Sequence, residues 1–491
     1  MDDEPKTEIE FAVPPGPEDS SPGESSTPAD RVVDPEGESD ALESSACVAP
    51  PPAVPELPHV ANAFMAFSTV LFVVLALLYN FLTPFVSPSI LLSRDGGMTN
   101  PDEHEHFRYV QTVAETHKLP TFGESGNTEG HQPPLYYLIA SIVYPAGATV
   151  EDAGHRVRLV STIFGVGLLW VMFLALRELW PDKPASAALT ASIGALIPMN
   201  VALCSAVNND SLTNLVFATT LLQLARISRR VHLHNEGPNT WRRELLLLAT
   251  LLGGGVYIKM SAVMLFGVVG FYWLATWRLG MLPLSIALRS LLVSAGLGLL
   301  IAMPWLAHNI VVSGDVLGTG AFVNVLQQHN FTPQQMIAQF GQQWYIKAMG
   351  WWTFESYWGT FDSMQLRLPN EIYLLLIALA VVALIGLPRW WSRNVSGTAS
   401  NAVAIAALAL IGLDVAAFGQ YNIHFFQAQG RYFLPSLLPL TTGFVGGFQA
   451  WAPQRYRRMV AVAVLALLVL LNVISLALIQ TYFAGAIKMS G

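Results

Sequence analysis

Of the 491 residues, 53% are hydrophobic and only 12% charged. That is the composition of a polytopic membrane protein and excludes an ordinary soluble globule. The net charge of −8 is local, because 15 of the 34 acids fall in the first 60 residues beside only Lys6 and Arg31. The two cysteines, Cys47 and Cys204, exclude both a disulfide framework and a thiolate metal site.

Residues 1–60 also hold 12 of the 31 prolines. A segment so acidic and so poor in apolar surface cannot offset its chain entropy by burial, so it is expected to be a disordered cytoplasmic tail. No basic stretch followed by an apolar core precedes it, so no signal peptide is expected and the first apolar span, near 62–84, reads as a signal anchor.

Further apolar stretches at about 157–179, 184–207, 211–228, 244–258, 260–277, 288–312, 371–388, 400–419, 432–450 and 459–482 bring the expected crossings to eleven, within a range of 10 to 13. The stretch Pro133 to Gly147 is short and flanked by proline, and reads as an interfacial helix. With eleven crossings all the basic loops fall on one side: Arg177 with Lys183, the five arginines between Arg226 and Arg243, Arg278 with Arg289, Arg389 with Arg393, and Arg455 with Arg457 and Arg458. The positive-inside rule makes that side cytoplasmic. The long loops at about 85–156 and 313–370 then face outward from a plasma membrane, within a transmembrane domain covering 61–491.

Polar residues gather in those outer loops. Six ionisable side chains crowd Asp102 to Arg108, and charges in such number cannot face lipid. Asn100, Pro101 and Glu103 make an ordinary helix start with a capping box, which leaves His104, Glu105, His106 and Arg108 unexplained. Asp102 and His106 lie one helical turn apart; a carboxylate beside an imidazole suits a general base. A divalent cation on Asp102, His106 and His131 is an alternative without a recognised ligand spacing. Two prolines stiffen Gly130 to Tyr137; His131 and Gln132 are its candidate functional groups, and Tyr136 and Tyr137 fit the headgroup level.

Arg156 and Arg158 stand against the charge bias of the outer side and suit either an anion or snorkelling. Asn208, Asn209 and Asp210 exceed what one helix cap requires. Lys259, after three glycines, is a lone cation suited to a phosphate or to snorkelling. Trp351, Trp352, Tyr357 and Trp358, near Glu355 and Asp362, have the faces that bind sugar or prenyl groups or lie on headgroups. Arg431 offers a bidentate fork to phosphate. No Gly-rich nucleotide loop occurs.

In order, Pro101-Asp102-Glu103 with His106, His131-Gln132-Pro133-Pro134-Leu135-Tyr136-Tyr137, Arg158 with Ser161 and Gly165, Asn208-Asn209-Asp210, Lys259, Ser356-Tyr357-Trp358-Gly359 and Gly430-Arg431-Tyr432 resemble a prokaryotic membrane-protein family related to the GT-C glycosyltransferases. That superfamily includes protein O-mannosyltransferases, lipid A aminoarabinose transferases and oligosaccharyltransferase catalytic subunits. The resemblance covers about residues 62–480. It implies an all-α GT-C-like bundle with interfacial helices in the first outer loop, a catalytic base at Asp102 and a second acid at Asp210. The enlarged C-terminal soluble domain of some members is not expected here.

The expected activity is sugar transfer from a polyprenyl-phosphate donor to an extracytoplasmic lipid, glycan or protein. Asp102, Glu103 and His106 are the expected catalytic set, and Arg158, Lys259 and Arg431 the phosphate ligands. His131, Gln132, Asn209, Asp210, Tyr357 and Trp358 are the expected substrate contacts. Partners are the lipid-linked sugar and membrane lipids, with no nucleic acid, no cofactor beyond a possible divalent cation, and no ATP. The competing classes are a flippase of lipid-linked saccharides, which calls for mid-span charges and repeated halves, and a non-catalytic envelope-assembly protein.

Overall fold

A computed structural model describes residues 58–86, 102–122, 129–234, 241–318, 320, 323, 332–395 and 397–490. The acidic tail and the Asn100-Pro101 pair lie outside them.

Apolar length builds the frame. Helices α1 (Pro58–Leu82) and α4 (Val150–Leu179) enclose two short helices of the first loop, α2 (Glu103–Thr116) and α3 (Leu135–Ser141). After α4 come α5 (Pro184–Ala195), α6 (Pro198–Leu203), α7 (Asp210–His234) and α8 (Arg242–Val256). A 3-10 turn, Met260–Val263, leads into α9 (Met264–Arg278), followed by α10 (Leu284–Ser313). The second long loop contains α11 (Pro333–Phe340), α12 (Gln342–Trp358) and a two-stranded ladder of Thr360–Phe361 on Leu366–Arg367. The chain closes with α13 (Asn370–Asn394), α14 (Thr398–Asn422), a 3-10 segment Gly430–Ser436, α15 (Leu437–Gln449) and α16 (Arg457–Ser490).

Among the described residues, seven helices are long and apolar enough to cross a membrane. Of the other four expected spans, 184–207 is split by Pro198 into α5 and α6, as a proline without an N–H requires; 244–258 and 432–450 fall on the shorter α8 and α15; and 211–228 lies within α7, which is long enough but more polar. The membrane-embedded all-α architecture is therefore as expected, and length and composition by themselves mark seven of the eleven expected crossings.

Close backbone approach sets the packing of α13 on α15. A Cβ on Gly447 would lie 2.0 Å from the Ala383 carbonyl oxygen, and one on Gly386 would lie 2.1 Å from that of Gly447. Such small-residue contacts are how helices associate where lipid supplies no hydrophobic drive. At the other end of the bundle α2 and α3 lie against the first turns of α4, with Phe107, Val110, Tyr136, Ala140 and Val157 buried together. These are the interfacial helices of the first loop. The opposite end of α4 carries Glu178, which pairs with Arg226 and Arg229 of α7, so the two ends of the bundle differ in charge as well as in shape.

Candidate functional site

Asp102 is the N-cap of α2, one residue before the helix, and its φ of 59° is left-handed. Asp tolerates that region, but a strained cap needs a reason outside the helix. The carboxylate makes no capping hydrogen bond; it accepts one from Arg431 Nη2 at 2.5 Å. The helix therefore starts two residues later than the capping-box reading places it, and Asp102 serves an ion pair across the molecule instead of the helix.

Arg431 is positioned from both sides. The Gly430 N–H donates to Ser356 Oγ at 2.7 Å, and a Cβ at Gly430 would lie 2.3 Å from the Tyr357 nitrogen, so only glycine lets the segment seat on α12. At the far end of the segment Ser436 Oγ donates to the buried Asp414 carboxylate. Held this way, Arg431 is 9% exposed whereas its partner Asp102 is 46% exposed.

The charges alternate beyond Asp102. Arg431 Nη1 lies 3.9 Å from Asp210 Oδ2, and Lys259 Nζ donates to Asp210 Oδ1. A carboxylate, a guanidinium, a second carboxylate and an ammonium thus form one row, drawn from the first loop, the 3-10 segment, the start of α7 and the turn after α8. Neutral hydrogen bonds fasten the row: Asn209 Nδ2 donates to Gln132 Oε1 and to the Ile258 carbonyl, both at 3.2 Å, and Leu135 N–H donates to the Tyr257 carbonyl at 2.8 Å. Arg431 Nε is buried and has no acceptor among the described residues, an N–H with bonding capacity to spare.

His106 stands one turn along α2, buried, with Nδ1 2.7 Å from Tyr137 Oη. Burial pulls its imidazole below the ordinary histidine range against the opposing pull of Glu129 and Asp102, which leaves it neutral at pH 7. Burial works to raise the Asp102 carboxyl; the charge and hydrogen bond of Arg431 overcome it and hold the group below its usual value. Glu129 is the residue that sequence reasoning missed. It is buried beside His106, Asp102 and Gln132, and burial raises its carboxyl. Its only signal in the sequence is an acid directly before Gly130-His131-Gln132.

Three expected site residues are reassigned: Glu103, Arg158 and Trp358. Glu103, expected in the catalytic set, and Arg158, expected on phosphate, are fully buried and grip each other in a bidentate pair, Nε to Oε1 and Nη2 to Oε2, both 2.8 Å. Arg158 Nη1 also donates to the carbonyls of Asn80 and Thr83, and Glu103 Oε1 accepts from the Val207 N–H at 2.7 Å. The pair is a clamp joining α1, α2, α4 and the turn before α7, and no nitrogen of Arg158 is left without a partner. Trp358 is buried against Phe444 in the main core, so its ring is not a sugar platform. Tyr357 contributes its backbone to the seat of Gly430. His131 packs edge-on to Phe122 beside Gln132. Among the described residues no three His, Cys, Asp or Glu side chains form a group fit to hold a metal ion, which includes the grouping of Asp102, His106 and His131.

Residues 98–441 match a family described as predicted membrane protein, DUF2142. The chain belongs to that family. A search of curated proteins finds no match for this DUF2142 member. Solved structures do match. The oligosaccharyltransferase of Archaeoglobus fulgidus in its apo form is 13% identical with a TM-score of 0.52, covering 85% of this chain and 56% of its own. The same organism's AglB with an inhibitory peptide and a dolichol-phosphate is 13% identical at a TM-score of 0.50, covering 86% and 56%. ArnT from Cupriavidus metallidurans bound to undecaprenyl phosphate is 16% identical at a TM-score of 0.38, covering 77% of each chain. The DUF2142 chain thus spans about half the length of the oligosaccharyltransferases it matches, and it shares their fold over that span.

Proposed function

We propose that this protein is a membrane glycosyltransferase that moves a sugar from a polyprenyl-phosphate donor to an acceptor on the side of the membrane where Asp102 and Arg431 meet. The observation that carries the reading is the alternating row Asp102, Arg431, Asp210, Lys259, with its outermost carboxylate half exposed and its guanidinium buried. Arg431 and Lys259 take the donor phosphate. A guanidinium with a spare N–H in a dry setting stabilises the charge that develops on the leaving phosphate. The AglB structure, which shares the fold, was solved with a dolichol-phosphate, and this supports a donor of that class.

Arg431 has one more task in this scheme. While it holds Asp102, that carboxylate is a weak base; when the donor phosphate takes over the guanidinium, Asp102 is released toward the acceptor. The acceptor hydroxyl or amide then gives its proton to Asp102 as its heteroatom bonds to the anomeric carbon. The bond from that carbon to the phosphate oxygen breaks, and the electron pair leaves on the phosphate. A single displacement inverts the anomeric centre. His106, neutral and hydrogen-bonded to Tyr137, lines the same pocket as a positioning group. Basic loops at the opposite end of the bundle make the site extracytoplasmic in a plasma membrane.

The test compares extracted lipids and envelope glycans by mass spectrometry with and without the gene, and with an Arg431→Ala copy. The reading expects one glycan or glycolipid to lose a single sugar, with its unmodified acceptor and the lipid-linked sugar accumulating, in the deletion and the Arg431→Ala strain alike. Unchanged glycans with lipid-linked sugar trapped on the cytoplasmic leaflet would instead point to a flippase.

A further inference from the structure

At the end of the bundle opposite Asp102 and Arg431, an apolar cavity of about 140 Å³ opens between the last turns of α4 and α13, the first half of α14 and part of α15. Small residues make it: Ala404 and Ala407 on α14 and Gly443 on α15 stand where larger side chains would close the gap. Trp180, Trp390 and Trp391 wall the outer part, with Trp180 edge-on to Trp390 at 6.2 Å. Asn394 lies among the lining residues, and its Oδ1 accepts from Lys183 Nζ at 3.4 Å. Lys183 is exposed and has no ion-pair partner among the described residues.

Each part selects against a different occupant. A cavity of this size with an apolar lining stays free of water and takes up apolar molecules, which excludes a sugar or a nucleotide. Tryptophans cluster at headgroup level, which places the mouth at the membrane surface. An ammonium there attracts an anionic headgroup, which a neutral lipid lacks. The donor itself is too far away: Arg158, next to the Asp102 pocket, and Leu179, at the cavity, are 21 positions apart on α4, about 30 Å at the rise of an α-helix.

We infer that this cavity is a binding site for an anionic glycerophospholipid of the leaflet at the basic end, its phosphate on Lys183 and one acyl chain between α13 and α14. The inference is independent of the glycosyl-transfer reading, since the two sites lie at opposite ends of the bundle.

The full chain is reconstituted in nanodiscs with phosphatidylglycerol carrying a photoreactive acyl chain, or with the phosphatidylcholine equivalent, and cross-linked peptides are mapped. Phosphatidylglycerol should label residues 387–411 in preference to the lipid-facing stretch 292–303 of α10. Its advantage over phosphatidylcholine should be about fivefold, as one surface lysine provides. Lys183→Glu should abolish that advantage while leaving labelling by either lipid, and Ala407→Trp should abolish labelling of 387–411 by both. Should Ala407→Trp fail to fold, Ala404→Leu narrows the same space and should lower the yield. Labelling spread evenly over all lipid-facing helices would overturn the site, and equal labelling by the two lipids would overturn the anionic headgroup. Protection of 387–411 by added polyprenyl phosphate but not by phosphatidylglycerol would assign the cavity to a prenyl tail and overturn the phospholipid.

Discussion

Replacing Asp102 by Asn should have two effects of opposite sign. Under the proposed mechanism Asp102 in the free protein competes with the donor phosphate for Arg431, to which it is joined by a 2.5 Å charge-assisted hydrogen bond. At an effective dielectric constant near 20 a close pair attracts by about 4 kcal/mol; with Asp102 46% exposed, solvent screening and the entropy of holding the side chain reduce the net value to about 1–2 kcal/mol. The donor gives up that amount when it displaces the carboxylate. Asn has no charge to displace, so Asp102→Asn should bind polyprenyl phosphate about 5 to 30 times more tightly than the parent, at 1.4 kcal/mol per decade. Turnover should fall by roughly 10² to 10⁴, because the proton acceptor is gone. Calorimetric titration of the purified protein with sugar-free polyprenyl phosphate reads the first effect, and a single-turnover assay with lipid-linked sugar the second. Affinity that stays equal or weakens in Asp102→Asn would refute the competition, and near-normal turnover would remove Asp102 as the base.

Glu103→Gln should act on folding, because it leaves the fully buried Arg158 without a counter-charge, at a cost of about 3–5 kcal/mol. Thermal unfolding in detergent should show the loss, and the double variant Glu103→Leu with Arg158→Leu should recover much of it. His106 and Glu129 predict opposite pH dependences. Burial lowers the His106 imidazole, so between that folded value and about 6.5 the unfolded chain binds a proton that the native state does not, and stability falls as pH drops through that window; His106→Gln should flatten the fall. Burial raises the Glu129 carboxyl, so the native state keeps a proton that the unfolded chain releases above about 4.3, and stability declines as pH climbs from there to the folded value; Glu129→Gln should remove that decline in melts recorded across the range. A cysteine at the half-exposed position 102 should react with an impermeant reagent from outside whole cells and a cysteine at 229 should not; external labelling at 229 would reverse the orientation.

Hydropathy made the helices legible. The expected spans at 157–179 and 371–388 lie within α4 and α13, because a run long enough to cross lipid has few other ways to satisfy its backbone. Polar residues in an apolar chain narrowed the search for the site, and Asp102, Asp210, Lys259 and Arg431 meet although the first and last are 329 positions apart. What the sequence could not show is direction. Asp102 and Glu103 are neighbours with the same chemistry, yet a left-handed turn at Asp102 leaves one carboxylate half exposed beside Arg431 and the other in a sealed clamp. Trp358 looked like its half-buried aromatic neighbours until packing on Phe444 buried it fully, and Glu129 carried no pattern of its own.

The buried clamp also sets an order of assembly. Every group it uses, from Asn80 and Thr83 through Glu103 and Arg158 to Val207, belongs to the first 207 residues, so it can lock while the ribosome is still translating the rest. Arg431 leaves the ribosome more than two hundred residues later. A chain cut before Arg431 therefore holds all the groups of the clamp but leaves Asp102 without its guanidinium, and the site becomes whole only when the last third of the bundle docks.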